Sequence, residues 1–400
     1  VSEAQTNTLT DKPLRILIAL QYYLPHRTGY NLYVQRVAEA LAQRGHQVTV
    51  LTARHKIDLP RDETINGVRI VRLWAPIRVS RGMVMPMYPL ALWRFLKNTD
   101  VVWLHLPMLE TALIAFMAKW RKRGIIATHH GDLLLGEGLK NRFIQGFVFY
   151  LYRLMAERVH RIIGYSHDYA DHSYYLQPYR DKVSIIYPPI IIPEPQPERV
   201  LELRQRWGEN GGAIIGYAGR FVKEKRPDLL IRSLDTINQE YPNARIVFAG
   251  EYDIRYEDTW EENQPLVRRY HDQLVFLGLI TNSQAMANFY AACDVLVLPS
   301  DTECFALVQV EAMLCGTPVI MTDTPGGRVP VRETQMGKIV PRGDAEAIGQ
   351  AVIDIVRNPE EYARSREEIA TTFNFKETVD RYEKHLRNAA QAATGEDSHE

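Results

Sequence analysis

Glu303 and Glu311 bracket the run Cys304-Phe305-Ala306-Leu307-Val308-Gln309-Val310. A strand-like stretch, Asp294 to Ser300, comes before them. A helix-like stretch closing at Leu314-Cys315-Gly316 follows, and then the apolar strand Thr317 to Met321. The first carboxylate therefore belongs in a strand-to-helix turn and the second one to two turns into the helix. Free N–H groups at a helix start favour phosphate, and in open α/β sheets ligands collect over the strand ends. A carboxylate on either side of such a nest suits sugar and ribose hydroxyls, so the pattern outlines a nucleotide-sugar site.

Gly216-Tyr217-Ala218-Gly219-Arg220-Phe221-Val222-Lys223-Glu224-Lys225 adds cations at a corresponding place, after another strand. Arg220 offers a forked phosphate contact and Lys225 a point charge. Alone this is a solvated loop; beside the Glu303 turn it becomes a diphosphate clamp. Ala127-Thr128-His129-His130-Gly131-Asp132 ends a strand nearer the N-terminus, where a histidine suits a sugar hydroxyl or a leaving phosphate. The alternative is a pair of core or surface histidines. Pro25-His26-Arg27-Thr28-Gly29-Tyr30 lies between the first strand and first helix, at a position suited to phosphate approach. The chain lacks Gly-x-Gly-x-x-Gly, Gly-x4-Gly-Lys-Ser/Thr, Gly-x-Ser-x-Gly and any Asp-x-Asp pair. Dinucleotide oxidoreductase, P-loop nucleotidase and serine-elbow hydrolase chemistry are not supported.

These loops need parallel strands beneath them. Short apolar runs alternate with helix-period stretches along the whole chain, which implies sheets buried on both faces. Strands are expected at 14–20, 47–51, 68–73, 101–106, 125–129, 161–165 and 183–187, then at 213–217, 245–249, 274–277, 295–298 and 338–340. The proline-rich stretch from Tyr187 to Pro197 divides the two sets. The expected architecture is α/β, two doubly wound Rossmann-like domains facing each other across a cleft, with ligand between them at the strand ends. The expected divisions are a loose tail at 1–13, an acceptor-side domain at 14–192, a nucleotide-sugar domain at 193–372, a crossing-back helix at 373–390 and a disordered tail at 391–400.

Zero net charge conceals a division. Residues 1–192 hold 25 Lys and Arg against 14 Asp and Glu, a net of +11, and residues 193–400 hold 23 against 34, a net of −11. A basic half suits a polyanionic partner such as an anionic membrane, or an acidic second half. Three cysteines without a Cys-x-x-Cys pair argue against a disulfide framework or zinc site and for a reducing compartment. Cys304 reads as a small buried hydrophobe. No apolar run reaches the roughly 18–20 residues of a membrane span.

The chain resembles the retaining glycosyltransferases of family 4, group 1 glycosyltransferases with the GT-B fold. The resemblance runs from about Leu14 to Leu386. It rests on Gly219-Arg220 with Lys225, Gly250-Glu251, Phe276-Leu277-Gly278 and the Glu303 to Glu311 motif. Tyr22-Tyr23-Leu24-Pro25, Arg44 to Val50 and Thr128 to Asp132 match less specifically. It implies that Arg220 and Lys225 bind the donor diphosphate, Glu303 the sugar, Glu311 the ribose, and the backbone of Phe305, Ala306, Leu307 and Val308 the sugar and phosphate. Gly29, Gly250 and Glu251 join the donor set. His130 matches the family's active-site histidine better than His129, with Thr28, Tyr30 and Asp132 on the acceptor side. Catalysis then falls to His130, Glu303, Arg220 and Lys225, without metal or other cofactor. Two positions depart from the family pattern: Thr28 precedes Gly29 where two glycines are common, and Ala306 replaces a common glycine.

The resemblance implies transfer of a hexose from a UDP- or GDP-linked donor to a sugar, glycan or lipid-linked acceptor hydroxyl in cell-envelope synthesis, with retention through front-face attack. No nucleic-acid partner is expected. A nucleotide-sugar epimerase on the same fold and a non-catalytic sugar-nucleotide or glycan-binding protein are the rivals. Residues Leu139 to Arg161 interleave Phe143, Phe147, Phe149, Tyr150 and Tyr152 with arginines. This pattern fits a lipid interface, or equally a domain helix with core aromatics and solvated arginines. The expected location is cytoplasmic, with peripheral attachment at the inner face of the cell membrane as the further expectation.

Overall fold

The computed structural model describes residues 12–26, 28–79, 82–133, 138–208, 211–254 and 258–395. Most of the two expected tails, 1–11 and 396–400, and Arg27 of the first loop lie outside them. The chain divides into two compact units, residues 1–189 with 376–400, and residues 190–375. Ile190 and Ile192, assigned above to the first domain, are buried, and Arg366 donates to the Ile192 carbonyl at 2.5 Å, which ties this stretch to the second unit.

The first unit contains β1 (Arg15–Ala19), β2 (Gln47–Ala53), β3 (Asp62–Ile65), β4 (Val68–Leu73), β5 (Ile77–Val79), β6 (Gly82–Val84), β7 (Val101–Leu106), β8 (Gly124–His129), β9 (Arg161–Gly164) and β10 (Val183–Ile185). Eight of these form one sheet in the order β10-β9-β8-β7-β1-β2-β4-β3. Pairing is parallel except between β3 and β4. That hairpin turns on Asn66-Gly67, both at positive φ, as a two-residue turn between right-twisted strands requires. Every residue of β7 and β8 is buried, the polar His105, Thr128 and His129 near their C-terminal ends included, as expected of central strands covered on both faces. Helix Gly29–Gln43 begins at Thr28, whose Oγ1 accepts the Asn31 N–H at 3.3 Å, and buries Val34, Val37, Ala38 and Leu41 against the sheet.

Helix Phe375–Thr394 belongs to this first unit from Lys376 onward. It buries Val379, Tyr382, Leu386 and Ala389 along one face. The Tyr382 hydroxyl bonds Thr128 Oγ1 at 3.0 Å, and Arg44 pairs with Asp380 at 2.6 Å and Glu383 at 2.8 Å. The helix runs beyond the expected end at 390, so the tail expected from 391 starts too early. Ala389, Ala390, Ala392 and Ala393 are strong helix formers, and Ala389 is buried.

The second unit contains β11 (Ile214–Ala218), β12 (Arg245–Ala249), β13 (Leu274–Gly278), β14 (Val295–Leu298), β15 (Val319–Thr322) and β16 (Gly337–Val340). All pair in parallel, in the order β13-β12-β11-β14-β15-β16. Chain order runs outward from β11 on one side and from β14 on the other. The connections after these two central strands diverge and leave a crevice at their C-terminal ends. In the first sheet β1 and β7 make the equivalent switch point.

Candidate functional site

The crevice of the second unit collects the residues expected to bind a donor. The loop after β11 carries Gly219, Arg220 and Lys225, and the loop after β14 carries Glu303 and leads into helix Leu307–Leu314. The two loops are laced together. Lys225 Nζ bonds Glu303 Oε1, the Asp301 N–H donates to the Glu224 carbonyl at 2.9 Å, and Ser300 Oγ donates to Glu303 Oε1 at 3.0 Å. The Glu303 side chain is only 11% exposed, so its charge is held among these partners. Arg220 is exposed and reaches Glu224 at 3.5 Å, the outer limit of a hydrogen bond. Its guanidinium is free to meet a phosphate.

Ala306 caps helix Leu307–Leu314 with φ 56° and ψ 83°, and its methyl side chain makes no capping hydrogen bond. The left-handed region suits glycine and costs an alanine roughly 1–2 kcal/mol. The family's glycine at this position thus has a backbone reason, and alanine here takes the same turn under strain. The Leu307 and Val308 N–H groups stand at this uncapped start, where the peptide dipoles favour an anion. Phe305 is buried and meets Phe373 edge-on at 5.6 Å, so only its backbone faces the loop. Cys304, expected to be buried, is half-buried. Glu311 lies in the second turn and accepts from the Tyr290 hydroxyl at 3.2 Å.

Gly250 is placed by packing. Its φ is +151°, and a Cβ there would stand 1.9 Å from the Gly219 carbonyl oxygen. The Glu251 carbonyl accepts the Phe221 N–H at 2.8 Å, while the Glu251 side chain is exposed. Gly250 and Glu251 thus hold the Arg220 loop in position through the backbone. Sequence reasoning missed Gly326, Gly327 and Gln309. Gly326 bridges Glu303 in a parallel pairing, and a Cβ on Gly327 would meet Glu303 Cβ at 3.0 Å. Buried Gln309 joins the Phe305 and Gly327 carbonyls at 3.1 and 2.7 Å. The signal was a glycine pair soon after an apolar strand.

In the first unit, β7 and β8 pair His105 with Thr128 and Leu106 with His129. His130 follows directly, and its Nε2 lies 2.8 Å from His105 Nδ1 while its Nδ1 bonds the Tyr165 hydroxyl. Burial, then the neighbouring imidazoles of His105 and His129, hold His130 well below the ordinary histidine value, and burial does the same for His105. Tyr30 packs edge-on to His130 at 4.3 Å, and Thr28 and Gly29 form the start of the adjoining helix. His129 is buried and points its Nε2 to Asp132 at 3.0 Å. Burial would raise the Asp132 carboxyl, but hydrogen bonds from His129, Ser173 and the Tyr174 N–H outweigh it and hold it low. Both Asp132 oxygens are thereby engaged in tethering the 173–174 turn. Among the described residues, no group of three or more His, Cys, Asp or Glu is placed to hold a metal ion.

The profile of the group 1 glycosyl transferases matches residues 200–371, and that of the glycosyl transferase 4-like domain matches residues 28–189. The chain belongs to the group 1 glycosyltransferases. A D-inositol 3-phosphate glycosyltransferase of Saccharomonospora viridis is 31% identical over 198 residues, 46% of this chain and 44% of that protein. A GDP-mannose-dependent alpha-(1-6)-phosphatidylinositol dimannoside mannosyltransferase of Mycobacterium tuberculosis is 30% identical over 178 residues, 43% and 44% of the two chains. This family member therefore spans less than half the length of these two relatives. The crystal structure of Anabaena HepE in complex with UDP superposes with a TM-score of 0.74, covering 94% of this chain and 100% of that one at 18% identity. At that identity the likeness carries the two-domain Rossmann-like fold alone.

Proposed function

We propose that this family member transfers a hexose from a UDP- or GDP-linked donor to an acceptor hydroxyl with retention of anomeric configuration. The contact between Lys225 and Glu303, from the two loops that diverge at the switch point, carries the reading. It sets a cation for phosphate beside a carboxylate for sugar hydroxyls. Arg220, Lys225 and the Leu307 and Val308 N–H groups neutralise the departing diphosphate, a preorganised stabilisation of developing charge. Glu311 holds the ribose. The acceptor oxygen bonds the anomeric carbon as its bond to the diphosphate breaks, and the acceptor proton passes to the departing phosphate oxygen.

The acceptor side belongs to the first unit, with a neutral His130 as hydrogen-bonding partner for a substrate hydroxyl once it exchanges its ring bond to His105 or Tyr165. Charge neutralisation by side chains and N–H groups supports a reaction that needs no metal. The acceptor in this reading is a sugar, glycan or lipid-linked hydroxyl in cell-envelope synthesis, with the protein cytoplasmic and peripheral at the inner membrane face.

Incubation of UDP- and GDP-hexoses with candidate acceptors in excess EDTA, followed by NMR of the product, tests the proposal. A product with the donor's anomeric configuration is the expected result. An isomerised donor without acceptor identifies an epimerase, and nucleotide binding without turnover identifies a binding protein.

A further inference from the structure

Next to His130 the first unit gathers four polar side chains with buried oxygens that meet no hydrogen-bonding partner. Tyr30 lies in the first turn of helix Gly29–Gln43, after β1. Tyr88 opens helix Tyr88–Phe95, and Glu110 and Thr111 stand at the start of helix Thr111–Trp120, after β7. The Tyr30, Tyr88 and Thr111 hydroxyls and Glu110 Oε2 are all buried and unpaired. Tyr88 and Thr111 are 0% exposed, while Tyr30 and Glu110 are half-buried and give the group its access to the surface. The Tyr88 phenol lies within electrostatic reach of both Glu110 and Tyr30. The Tyr30 ring stands edge-on to His130 at 4.3 Å and to His105 at 6.0 Å. Strands β1 and β7, which lead to Tyr30 and Glu110, flank the switch point of the first sheet, where ligand is favoured.

Helix capping and packing do not account for this group. Glu110 occupies the cap position of its helix, yet its side chain makes no capping hydrogen bond. Buried polar groups are almost always paired, and an unmet one costs more than an ordinary hydrogen bond contributes. Phenylalanine and valine would fill the spaces of Tyr88 and Thr111 without that cost. Burial pushes the Glu110 carboxyl above the ordinary carboxylate range, opposed only by its own backbone N–H, and keeps both phenols neutral. Among the described residues, no lysine or arginine acts on these three groups. A phosphate brings only acceptors, and would face Glu110 without a cation. An alkyl chain brings neither donor nor acceptor. Each hydroxyl of a sugar both donates and accepts, so adjacent hydroxyls satisfy the carboxylate as donors and the phenols and threonine as acceptors.

We propose that Tyr30, Tyr88, Glu110 and Thr111 form a subsite beside His130 for an uncharged sugar ring, so that the acceptor residue receiving the hexose carries no phosphate. Glu110 accepts from adjacent ring hydroxyls, and the tyrosine and threonine hydroxyls donate to the ring's oxygens. The inference rests on the acceptor role of the first unit in the reading above, and it narrows the chemical class of that acceptor.

Saturation-transfer NMR of the whole chain, with UDP and GDP both present, tests it. The probes are the methyl α-glycosides of glucose, mannose and galactose, their 6-phosphates, and the methyl glycoside of glucosamine. A neutral glycoside is expected to bind, and its phosphate at least about tenfold more weakly, since it meets a carboxylate without a cation. Glu110→Gln should weaken the neutral sugar about tenfold or more, the loss of a charge-assisted bond, and Tyr88→Phe about two- to tenfold. Nucleoside-diphosphate affinity, a property of the second unit, should stay the same in both. In the sugar-free protein Tyr88→Phe should raise the melting temperature by roughly 2–4 °C, because it removes an unmet hydroxyl. A hydroxyl kept for structure, or met by ordered water alone, would give a fall instead. That fall, equal or tighter binding of the phosphates, tighter binding of the amino sugar, no binding of any neutral glycoside, or indifference to both substitutions overturns the proposal. If a neutral sugar binds through Glu110 and Tyr88 but no hexose is transferred, the transfer reading fails and the subsite stands. Transfer that neither substitution weakens removes the subsite and leaves the transfer reading.

Discussion

Gly250→Ala provides a direct test of how the Arg220 loop is held. A Cβ at Gly250 would lie 1.9 Å from the Gly219 carbonyl oxygen, while real Cβ contacts stay beyond 3.0 Å. The backbone must therefore open by at least 1.1 Å, and the group displaced is the peptide that leads into Arg220. Forcing alanine to φ +151° adds strain of about 1–3 kcal/mol. With the cost of repacking, the second unit should lose roughly 2–4 kcal/mol, a typical range for a backbone clash of this kind. For a unit of this size that is a fall of about 5–15 °C in its melting temperature.

A misplacement near 1 Å at a charge-stabilising group costs on the order of 100-fold in kcat/KM. Gly343→Ala is the control, because Gly343 also has positive φ, +77°, but a Cβ there meets nothing within 4 Å. It should lose only about 1 kcal/mol and keep wild-type transfer and nucleotide affinity. Differential scanning calorimetry, nucleoside-diphosphate titration and transfer kinetics on both variants complete the experiment. Wild-type kcat/KM in a folded Gly250→Ala protein would falsify the claim that this glycine sets the position of Arg220.

If Arg220 holds the diphosphate as proposed, Arg220→Ala should lower kcat/KM by roughly 100-fold or more, with little change in melting because the side chain is exposed; unchanged kinetics would remove it from the clamp. Glu311→Ala should weaken nucleoside-diphosphate binding in a calorimetric titration, whereas Glu303→Ala should spare that affinity and lower turnover; equal losses in both would contradict the division into ribose and sugar contacts. His105 and His130 stay neutral in the fold because burial disfavours their charged forms. The unfolded chain takes up protons near pH 6.5 while the folded unit does not, so stability should fall as pH drops below about 6.5, by up to about 1.4 kcal/mol per pH unit for each histidine. Melting curves from pH 7.5 to 5.5 should show a shallower slope for His105→Gln, and an identical slope would rule this origin out.

Uniformly apolar strands are the most legible feature of a parallel sheet, since both faces are covered. Val295–Leu298 and, apart from His105, Val101–Leu106 stand out for that reason. The short β3, β5 and β6 strands were not read: Asp62–Ile65 lies at the sheet edge, is part-exposed and carries two acidic residues. Asn66-Gly67 carried the hairpin's turn but marked no strand before it. The local order of Arg220, Lys225, Glu303 and Glu311 was visible in composition and spacing because a strand end, a turn and a helix start are consecutive in the chain.

Contacts among distant segments had no such local signal. Lys225 meets Glu303 across 78 residues, and His130 meets His105 because β7 and β8 pair in one particular register. That register separates His129, tied to Asp132, from His130, held by His105 and Tyr165. Gly326 and Gly327 come beneath Glu303 only once β15 is laid beside β14. Helix Leu139–Ala156 shows the same division of labour. Its sequence set the aromatic and basic spacing, but packing against its neighbours decided that Tyr152 is buried while Phe143 and Phe147 face outward. A one-dimensional pattern specifies what each segment can bury; parallel pairing through long crossovers determines which segments meet, and that pairing exists only in the folded chain.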